Sequence, residues 1–334
     1  MGGERMTHFR GRESGKEAVP GIPNVTPIEN LLGGCPLIRP LEGKVAVVAG
    51  ATRGAGRGIA VSLGEAGATV YCTGRSTRAH TSPMNRPETI EETAAMVSQR
   101  GGHGIAVQVD HSVESEVQAL FNRVAEEQHG RLDVLVNDIW GSESQIHWNT
   151  PFWEDDVGTA LKVLESAIHT HLITSRYGVP LMVARRSGLI VEIADGQTYK
   201  VRGPLSYSLA KIGAIHMAEV MAGQLDWQEL PGITAVALTP GFLRSEEMLD
   251  KFGVTEDNWK EGVQVDADFI ASESPFYVGR AAAALAADPE AHRFHGQALS
   301  SWDLMHVYHF TDIDGTQPDW GAHYRTKHGP DATR

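Results

Sequence analysis

The sequence is poor in cysteine and has no long apolar run. Only Cys35 and Cys72 occur among 334 residues, and their spacing fits neither a zinc site nor a disulfide framework, which favours a reducing compartment. No segment reaches the roughly 18 consecutive apolar residues that a membrane-spanning helix needs. The opening segment, MGGERMTHFRGRESGK, has no hydrophobic stretch of the kind found in secretion signals. We therefore expect a soluble, cytoplasmic protein without membrane partners.

Positive charge is also in short supply. The chain has 29 Lys and Arg against 42 Asp and Glu, which gives a net charge of −13. A general nucleic-acid surface needs clustered basic residues, so we expect no nucleic-acid partner. The 15 histidines do not converge with acidic residues in a pattern typical of metal ligands, and we predict no metal site.

What the sequence does contain is alternating strand and helix patterns between residues 41 and 302. Such alternation predicts right-handed crossovers and a parallel sheet, here of about seven strands in a Rossmann-type, doubly wound α/β domain. Residues 1–40 are rich in Gly, Pro, Arg and Glu and are expected to form a flexible extension. Residues 303–334 form a C-terminal tail, of which we expect the first part to dock and the last 15 or so residues to fray.

The segment KVAVVAGATRGAGRGIA predicts a strand, a phosphate-binding loop and a helix. The apolar run Val45 to Ala49 breaks at Gly50, and a helix of small residues begins near Gly56. Gly50, Gly54 and Gly56 allow the backbone to turn tightly against a pyrophosphate, and the start of the helix offers N–H groups and a positive dipole. A dinucleotide is the expected ligand. The alternative is an ordinary turn between a strand and a helix.

Two arginines indicate which dinucleotide. The second predicted strand, Ala68 to Thr73, is followed by Gly74 and Arg75, where an acidic residue would hold the ribose hydroxyls of NAD. Arg75 and the loop residue Arg53 are instead suited to a 2′-phosphate, so NADPH is favoured over NADH. The alternative is that both arginines are solvated and have no specific partner.

Aromatic residues are concentrated after the fourth predicted strand. In a doubly wound sheet the ligand lies where the strand order reverses, between the first and fourth strands, which points to residues 137–153. Four large aromatic side chains in this region suit the wall of a pocket for an apolar or aromatic substrate. Equally, they can simply cover the end of the sheet. They are Trp140, Trp148, Phe152 and Trp153.

Tyr207 and Lys211 are the strongest catalytic candidates. They follow the fifth strand and a loop of about 11 residues, and their i, i+4 spacing places them on one helix face. Hydride transfer to a carbonyl carbon leaves an oxyanion that needs a proton. A phenol with a pKa of about 10 supplies it only when its phenolate is stabilised, as by a neighbouring ammonium. The alternative is a solvated contact on a helix surface.

In this order, the motifs resemble those of the short-chain dehydrogenase/reductase family, over roughly residues 41–302. The family's TGxxxGxG loop matches Ala49 to Gly56, with alanine for threonine, and its YxxxK motif matches Tyr207 and Lys211. Residues 242–273 carry mixed charge and few periodic apolar residues, which predicts a mobile lid over the substrate. The resemblance implies a homo-oligomer. It also implies a cofactor site formed by Gly50, Thr52, Arg53, Gly54, Gly56, Arg75, Asp110, Asn137, Tyr207, Lys211, Pro240, Gly241 and Ser245.

Individual roles within this set also follow from the resemblance. Asp110 would contact the adenine, although it can equally cap a helix. Ser245 would bind the nicotinamide carboxamide beside the turn formed by Pro240 and Gly241.

The chain departs from the family at three positions. The family's NNAG reads NDIWG from Asn137, its catalytic asparagine aligns with Ala167, and its catalytic serine is replaced in the stretch Ala194, Asp195. A protonated Asp195 can hydrogen-bond the substrate oxygen, so Asp195 is the third catalytic candidate. Thr198 or Tyr199 are alternatives, and Asp195 can also be a turn residue before glycine.

The sequence therefore predicts an NADPH-dependent oxidoreductase that interconverts a carbonyl compound and an alcohol. The rival hypothesis is a dinucleotide-binding or regulatory module that has kept the cofactor pocket and lost turnover. The three departures favour the rival, whereas Tyr207 and Lys211 favour the enzyme.

Overall fold

The computed structural model describes residues 39–80, 82 and 84–329, so the predicted extension at residues 1–40 lies almost wholly outside the described residues. The strands are β1 (Val45–Ala49), β2 (Thr69–Gly74), β3 (His103–Gln108), β4 (Val134–Asn137), β5 (Gly188–Ile193), β6 (Ile233–Thr239) and β7 (Ala298–Ser300). The helices are α1 (Gly54–Glu65), α2 (Ile90–Gln99), α3 (Glu114–Glu127), α4 (Val157–Leu164), α5 (Thr170–Arg185), α6 (Leu205–Trp227), α7 (Glu246–Phe252), α8 (Pro275–Ala287), α9 (Ser301–Tyr308) and α10 (Trp320–His328). A π-helical turn, Glu165–His169, joins α4 to α5.

The seven strands form one parallel sheet in the order β3-β2-β1-β4-β5-β6-β7. Val48 of β1 pairs with Cys72 of β2 on one side and with Val136 of β4 on the other. The order reverses between β1 and β4, and this leaves a crevice at their carboxyl ends. The predicted Rossmann-type, doubly wound fold is confirmed.

The sheet is buried on both faces, which explains why its strands are continuous apolar runs rather than alternating ones. Ala46 and Val48 of β1 belong to the core beneath α1 and α8. Val45 and Val47 point the other way, into the core beneath α3 and α5. Every residue of β1 is therefore buried, and the strand's position is fixed from two sides.

Helices α1 and α8 touch at their backbones because each carries a glycine at the crossing point. A Cβ atom on Gly58 would lie 1.9 Å from the carbonyl oxygen of Pro275, and one on Gly279 would lie 2.3 Å from that of Gly58. Neither distance is sterically possible for a side chain. The close contact holds the phosphate-loop helix against the C-terminal part of the domain.

The C-terminal tail corrects one prediction. Residues 320–329 do not fray: Trp320–His328 form α10, whose N-terminus is capped by Asp319 and whose Trp320 is only 4 % exposed. Burial of this large aromatic ring favours the helix by about 2 kcal/mol or more, and a local reading of a short polar segment could not reveal it. Residues 330–334 lie outside the described part of the chain.

The predicted lid, residues 242–273, consists of α7 and two 3-10 segments, Glu256–Gln264 and Ala267–Ala271. It has a small core of its own around Phe269, which is fully buried. The base of the lid is closed by a bridge between Leu243 and Glu273. The lid is thus a packed unit, and its mobility stays a prediction.

Across the described residues, no helix combines the length and apolarity needed to cross a membrane.

Candidate active site

A cavity of about 1000 Å³ opens at the carboxyl ends of β1 and β4, where the strand order reverses. Of the predicted site residues, Gly56 and Asn137 do not line this cavity. All the others do: Gly50, Thr52, Arg53, Gly54, Arg75, Asp110, Asp195, Tyr207, Lys211, Pro240, Gly241 and Ser245. Residues from six separate stretches of the chain are therefore brought together at one crevice.

Tyr207 and Asp195 form a direct hydrogen bond. The Tyr207 hydroxyl, on the first turn of α6, donates to Asp195 Oδ2 at 2.9 Å. Asp195 follows the end of β5, and its carbonyl oxygen accepts from Arg202 Nε at 2.7 Å, which fixes the turn. Asp195 therefore contacts the tyrosine that its predicted catalytic role requires it to reach.

Thr198 and Tyr199, the alternatives to Asp195, do not line the cavity. The hydroxyl oxygen of Thr198 accepts from Arg202, and Tyr199 donates to Glu219 on the outer surface of α6.

Two of the four predicted aromatics form the wall around Tyr207. Trp140 meets its ring edge to face at 5.6 Å between centroids, and Trp148 lies 4.9 Å from it. Lys211 Nζ lies 4.0 Å above the centre of the Trp140 ring, so the ammonium is held beside the tyrosine by a cation–π contact. Phe152 and Trp153 are 65 % and 72 % exposed and contact each other instead. The predicted aromatic wall thus consists of Trp140 and Trp148.

Asp138 follows Asn137 and lies against the glycine loop. A Cβ on Gly56 would lie 2.3 Å from Gly50 O and 2.9 Å from Asp138 Oδ2, so the loop and the aspartate leave room for glycine alone. Burial raises the pKa of Asp138 to about 6. The nearby charges of Lys211 and His171 and a hydrogen bond from the Gly56 amide act in the opposite direction and limit the rise. Asp138, one of the departures from the family pattern, thus adds an ionisable group to the cavity beside the glycine loop.

Asn137 lies behind the cavity in a buried polar network that sequence reasoning missed. Its Nδ2 donates to Ser175 Oγ at 2.9 Å and to Glu192 Oε1 at 2.6 Å. Glu192 Oε2 lies 2.7 Å from His171 Nδ1. The other ring nitrogen, Nε2, donates to the carbonyl oxygen of Ile139 at 3.2 Å. The network holds the backbone after β4 in place, and the acidic residue within the apolar strand GLIVEI was its available signal.

Glu246 occupies the anion-binding end of α1. Its Oε2 accepts from the Gly54 amide at 2.8 Å, and its Oε1 lies 3.5 Å from Arg57 Nη1. A negatively charged group is therefore accommodated where the loop would receive a phosphate, which fits a dinucleotide. Sequence reasoning did not identify Glu246 as part of the site, because it lies 192 residues from Gly54 along the chain.

The two predicted phosphate-binding arginines line the same cavity from different elements. Arg53 precedes α1, its Nη2 lies 3.0 Å from Met84 Sδ, and burial lowers its pKa. Arg75 follows β2 with its side chain 47 % exposed, 3.9 Å from Asp110 Oδ2. Both arginines thus line the cavity that an anionic ligand would enter.

Asp110 and Ser245 also take part in local structure. Asp110 Oδ1 accepts hydrogen bonds from the backbone amide and the hydroxyl of Ser112, ahead of α3. Burial raises the pKa of Asp110, but these hydrogen bonds and the charge of Arg75 outweigh it and keep the pKa below its usual value. Ser245 caps α7 by accepting from the Met248 amide at 3.3 Å. Both still line the cavity, so their cofactor roles stay predictions.

Ala167, at the aligned asparagine position, lies inside the π-helical turn and is 5 % exposed. Its neighbour Ser166 lines the cavity instead, and the Ser166 hydroxyl hydrogen-bonds that of Ser142. Among the described residues, no three His, Cys, Asp or Glu side chains are grouped so as to hold a metal ion.

A phosphate loop, a tyrosine–lysine pair and a crevice at the switch point of a parallel sheet define a dinucleotide-dependent oxidoreductase of the Rossmann type. Residues 44–256 match the family model described as short chain dehydrogenase. The chain belongs to the short-chain dehydrogenase/reductase family, whose members use nicotinamide dinucleotides.

Relatives support this assignment across most of the chain. Dehydrogenase/reductase SDR family member 1 of Mus musculus is 36% identical over 283 residues, which is 84% of this chain and 86% of the relative. The human protein of the same name is 35% identical over 280 residues, or 83% and 85% of the two chains.

Solved structures share the fold. A candidate NAD(P)-dependent gluconate 5-dehydrogenase from Beutenbergia cavernae, with bound NADP at low occupancy, has a TM-score of 0.60 at 25% identity and covers 78% of this chain and 96% of its own. A dehydrogenase structure from Xanthomonas campestris has a TM-score of 0.66 at 25% identity, over 84% and 95% of the two chains.

Proposed function

We propose that the protein is an NADPH-dependent oxidoreductase that interconverts a carbonyl compound and an alcohol. The observation that carries the proposal is the Tyr207 to Asp195 hydrogen bond of 2.9 Å, formed beside Lys211 within the crevice that receives the cofactor. The cofactor would supply the hydride that attacks the carbonyl carbon. Tyr207 donates the proton to the carbonyl oxygen, and the Lys211 ammonium stabilises the phenolate that remains.

Asp195 has two tasks in this proposal. As an acceptor it holds the Tyr207 hydroxyl towards the cavity before substrate arrives. It also supplies a polar group beside the substrate oxygen, at the position where the family pattern has a serine. A carboxyl group thus compensates for the serine that the chain lacks.

The test is consumption of NADPH and NADH, followed side by side, by purified protein with a panel of aldehydes, ketones and quinones. We expect carbonyl-dependent loss of NADPH. NADPH binding without turnover of any panel member would favour the rival function, a dinucleotide-binding or regulatory module, which Ala167 and Ala194 support because they remove two polar groups of the family site.

We further propose that Arg53 and Arg75 select NADPH by binding its 2′-phosphate. Replacement of both with alanine is expected to erase the preference for NADPH over NADH, because the charge-assisted hydrogen bonds to the phosphate are lost. Arg78→Ala is the matched control, since Arg78 is exposed and does not line the cavity. An unchanged ratio of NADPH to NADH affinity in the double variant would refute this selection.

A homo-oligomer is proposed from the apolar residues that α4, α5 and α6 expose. Leu161, Leu172 and Leu209 are 60 %, 52 % and 50 % exposed, and a second copy of the chain is the expected cover. Sedimentation velocity is expected to show a dimer or larger assembly, and Leu161→Glu together with Leu209→Glu is expected to dissociate it. A monomeric wild-type protein at micromolar concentration would contradict the proposal. Cytoplasmic location stays a prediction.

A further inference from the structure

We propose that the C-terminal helix α10 is the specificity wall of the substrate site, and that Trp320 and Tyr324 select bulky, uncharged aromatic aldehydes and ketones. The inference rests on the proposed function and adds the substrate class. Both side chains line the cavity that contains Tyr207 and Asp195. The match to the family model ends at residue 256, so this wall lies outside the segment that the model covers.

Trp320 is built into the cavity floor beside Pro240 and Gly241. A Cβ on Gly241 would lie 2.7 Å from Trp320 Cβ, so the turn must be glycine for the tryptophan to fit. The Trp320 ring meets Phe242 edge to face at 5.8 Å between centroids, and Tyr324 stands one turn further along α10. The turn expected to face the nicotinamide is therefore continuous with an aromatic surface.

The helix is held against the lid by polar contacts. Asp268 of the lid accepts from His323 Nε2 at 3.0 Å and from Lys327 Nζ at 2.6 Å. Before the helix, the Pro318 carbonyl accepts from the Tyr277 hydroxyl at 3.0 Å. Because α10 is fixed at both ends, Trp320 and Tyr324 act as a rigid wall and not as mobile side chains of a tail.

The lining beside α10 argues for an uncharged substrate. Asp268, the lid carboxylate nearest the helix, is already paired with His323 and Lys327, and the wall itself is aromatic. A substrate carboxylate placed against these rings would lose its hydration, which costs free energy that an uncharged ketone does not lose. Trp140, Trp148 and Phe242 complete an aromatic lining, which offers stacking surface to a flat aromatic ketone.

The experiment compares steady-state reduction of 2-acetylnaphthalene, propanal and 6-acetyl-2-naphthoic acid by NADPH for wild type and Tyr324→Ala. Arg325→Ala is the control, since Arg325 is the exposed next residue of the same helix. We expect Tyr324→Ala to lower kcat/KM for 2-acetylnaphthalene about tenfold through KM, as loss of one aromatic face implies. Propanal turnover and NADPH affinity are expected to stay within about twofold.

Three outcomes would overturn the inference. An equal fall for the naphthyl ketone and propanal, or no fall for either, would remove α10 from specificity. Turnover of the naphthoic acid at the rate of the uncharged ketone would refute the charge argument. Trp320→Ala is a second variant, and its kinetics are compared only if its thermal unfolding remains cooperative. If it does not, Tyr324→Ala alone decides the test.

A binding measurement separates this inference from the proposed function. If wild-type protein turns over none of the carbonyls, calorimetric titration of 2-acetylnaphthalene into the NADPH complex still reports on the wall. Weaker binding to Tyr324→Ala than to Arg325→Ala would support the specificity wall although the reductase had failed. Equal binding to both variants would overturn it.

Discussion

At the scale of single residues, Asp195 is the substitution on which the proposed chemistry depends. Its carboxyl accepts from the Tyr207 hydroxyl at 2.9 Å. This position therefore keeps a hydrogen-bond partner for the tyrosine, although its residue type differs from the family pattern.

Asp195→Ala and Asp195→Asn distinguish the effect of the hydrogen bond to Tyr207 from the effect of the carboxyl group itself. Asp195→Ala removes the acceptor of the Tyr207 hydroxyl, and removal of one side of a partly buried hydrogen bond costs about 1–3 kcal/mol, so we expect kcat for ketone reduction to fall roughly 10- to 100-fold. Asp195→Asn keeps both a donor and an acceptor at this position and should retain most of the activity. Equal kcat for wild type and Asp195→Ala, measured under saturating NADPH, would show that Asp195 is only a turn residue.

Local sequence patterns were sufficient for some residues of the site and not for others. Helical spacing identifies Tyr207 and Lys211 in the sequence, and the pattern of glycines identifies the phosphate-binding loop. The burial of Asn137 behind the cavity was hidden, because it depends on Glu192 and His171, which approach from other elements. The aromatic stretch was correctly placed, but only packing decides that Trp140 and Trp148 face Tyr207 while Phe152 and Trp153 face solvent.

At the scale of elements, α7 couples the lid to the phosphate loop. Glu246, in its first turn, accepts from the Gly54 amide at 2.8 Å. A pyrophosphate and this carboxylate would compete for the same amide and the same positive helix end. We therefore expect Glu246 to move away from the Gly54 amide when a cofactor binds.

We expect Glu246→Gln to strengthen NADPH binding about three- to tenfold, because a neutral amide competes less well with phosphate for the helix dipole, an effect of about 1 kcal/mol. The measurement is the dissociation constant from the change in NADPH fluorescence. Glu247→Gln is the control, because it also removes a carboxylate at the cavity but not the one on Gly54. Weaker binding by Glu246→Gln, or equal strengthening by both variants, would contradict the competition.

The elements themselves were largely predictable. The bounds of β1 agree with the apolar run Val45 to Ala49. Helix α1 begins at Gly54, earlier than the predicted start near Gly56. The contact of α7 with the loop was not predictable, since it joins residues 192 positions apart, and no local pattern encodes such a pairing.

At the scale of the whole molecule, Glu273 connects the turn at Gly241 to the C-terminal part of the chain. Its Oε2 accepts from the Gly241 amide at 2.9 Å and from Ser301 Oγ at 2.5 Å. Its Oε1 has no hydrogen-bond partner among the described residues. Burial raises the pKa of Glu273 from 4.5 to about 8, with the charge of Asp312 adding to the effect.

This raised pKa makes stability depend on pH. The folded state holds the proton of Glu273 more tightly than the unfolded state, so its contribution is fully present below pH 4.5 and is lost as the pH rises towards 8. The loss is on the order of a few kcal/mol, at about 1.4 kcal/mol per unit of pKa difference.

Glu273→Gln is expected to weaken this pH dependence. The free energy of unfolding of the variant should therefore rise relative to that of wild type as the pH increases from 5 to about 8. Urea denaturation across that range is the measurement, with Glu290→Gln as the control at an exposed glutamate. If the free energy of unfolding depends on pH in the same way for wild type and Glu273→Gln, Glu273 is not the group whose protonation stabilises the folded state.

Overall architecture followed from sequence, whereas the arrangement of the C-terminal residues did not. Alternating strands and helices determine a parallel sheet and the position of its crevice. The role of residues 320–328 depends on Trp320 fitting over Gly241 and on Asp268 reaching Lys327, 59 positions away. Such contacts are properties of the packed molecule, and the short polar segment that makes them reads locally as a fraying tail.

The central claim is that Tyr207 is the proton donor of a carbonyl reductase. Its most direct test is NADPH oxidation with a reactive ketone or aldehyde by wild type and Tyr207→Phe, together with the NADPH dissociation constant of each. We expect the variant to lose at least 100-fold in kcat, as loss of a general acid implies, with NADPH affinity unchanged within about twofold. Equal activity in Tyr207→Phe would contradict the claim.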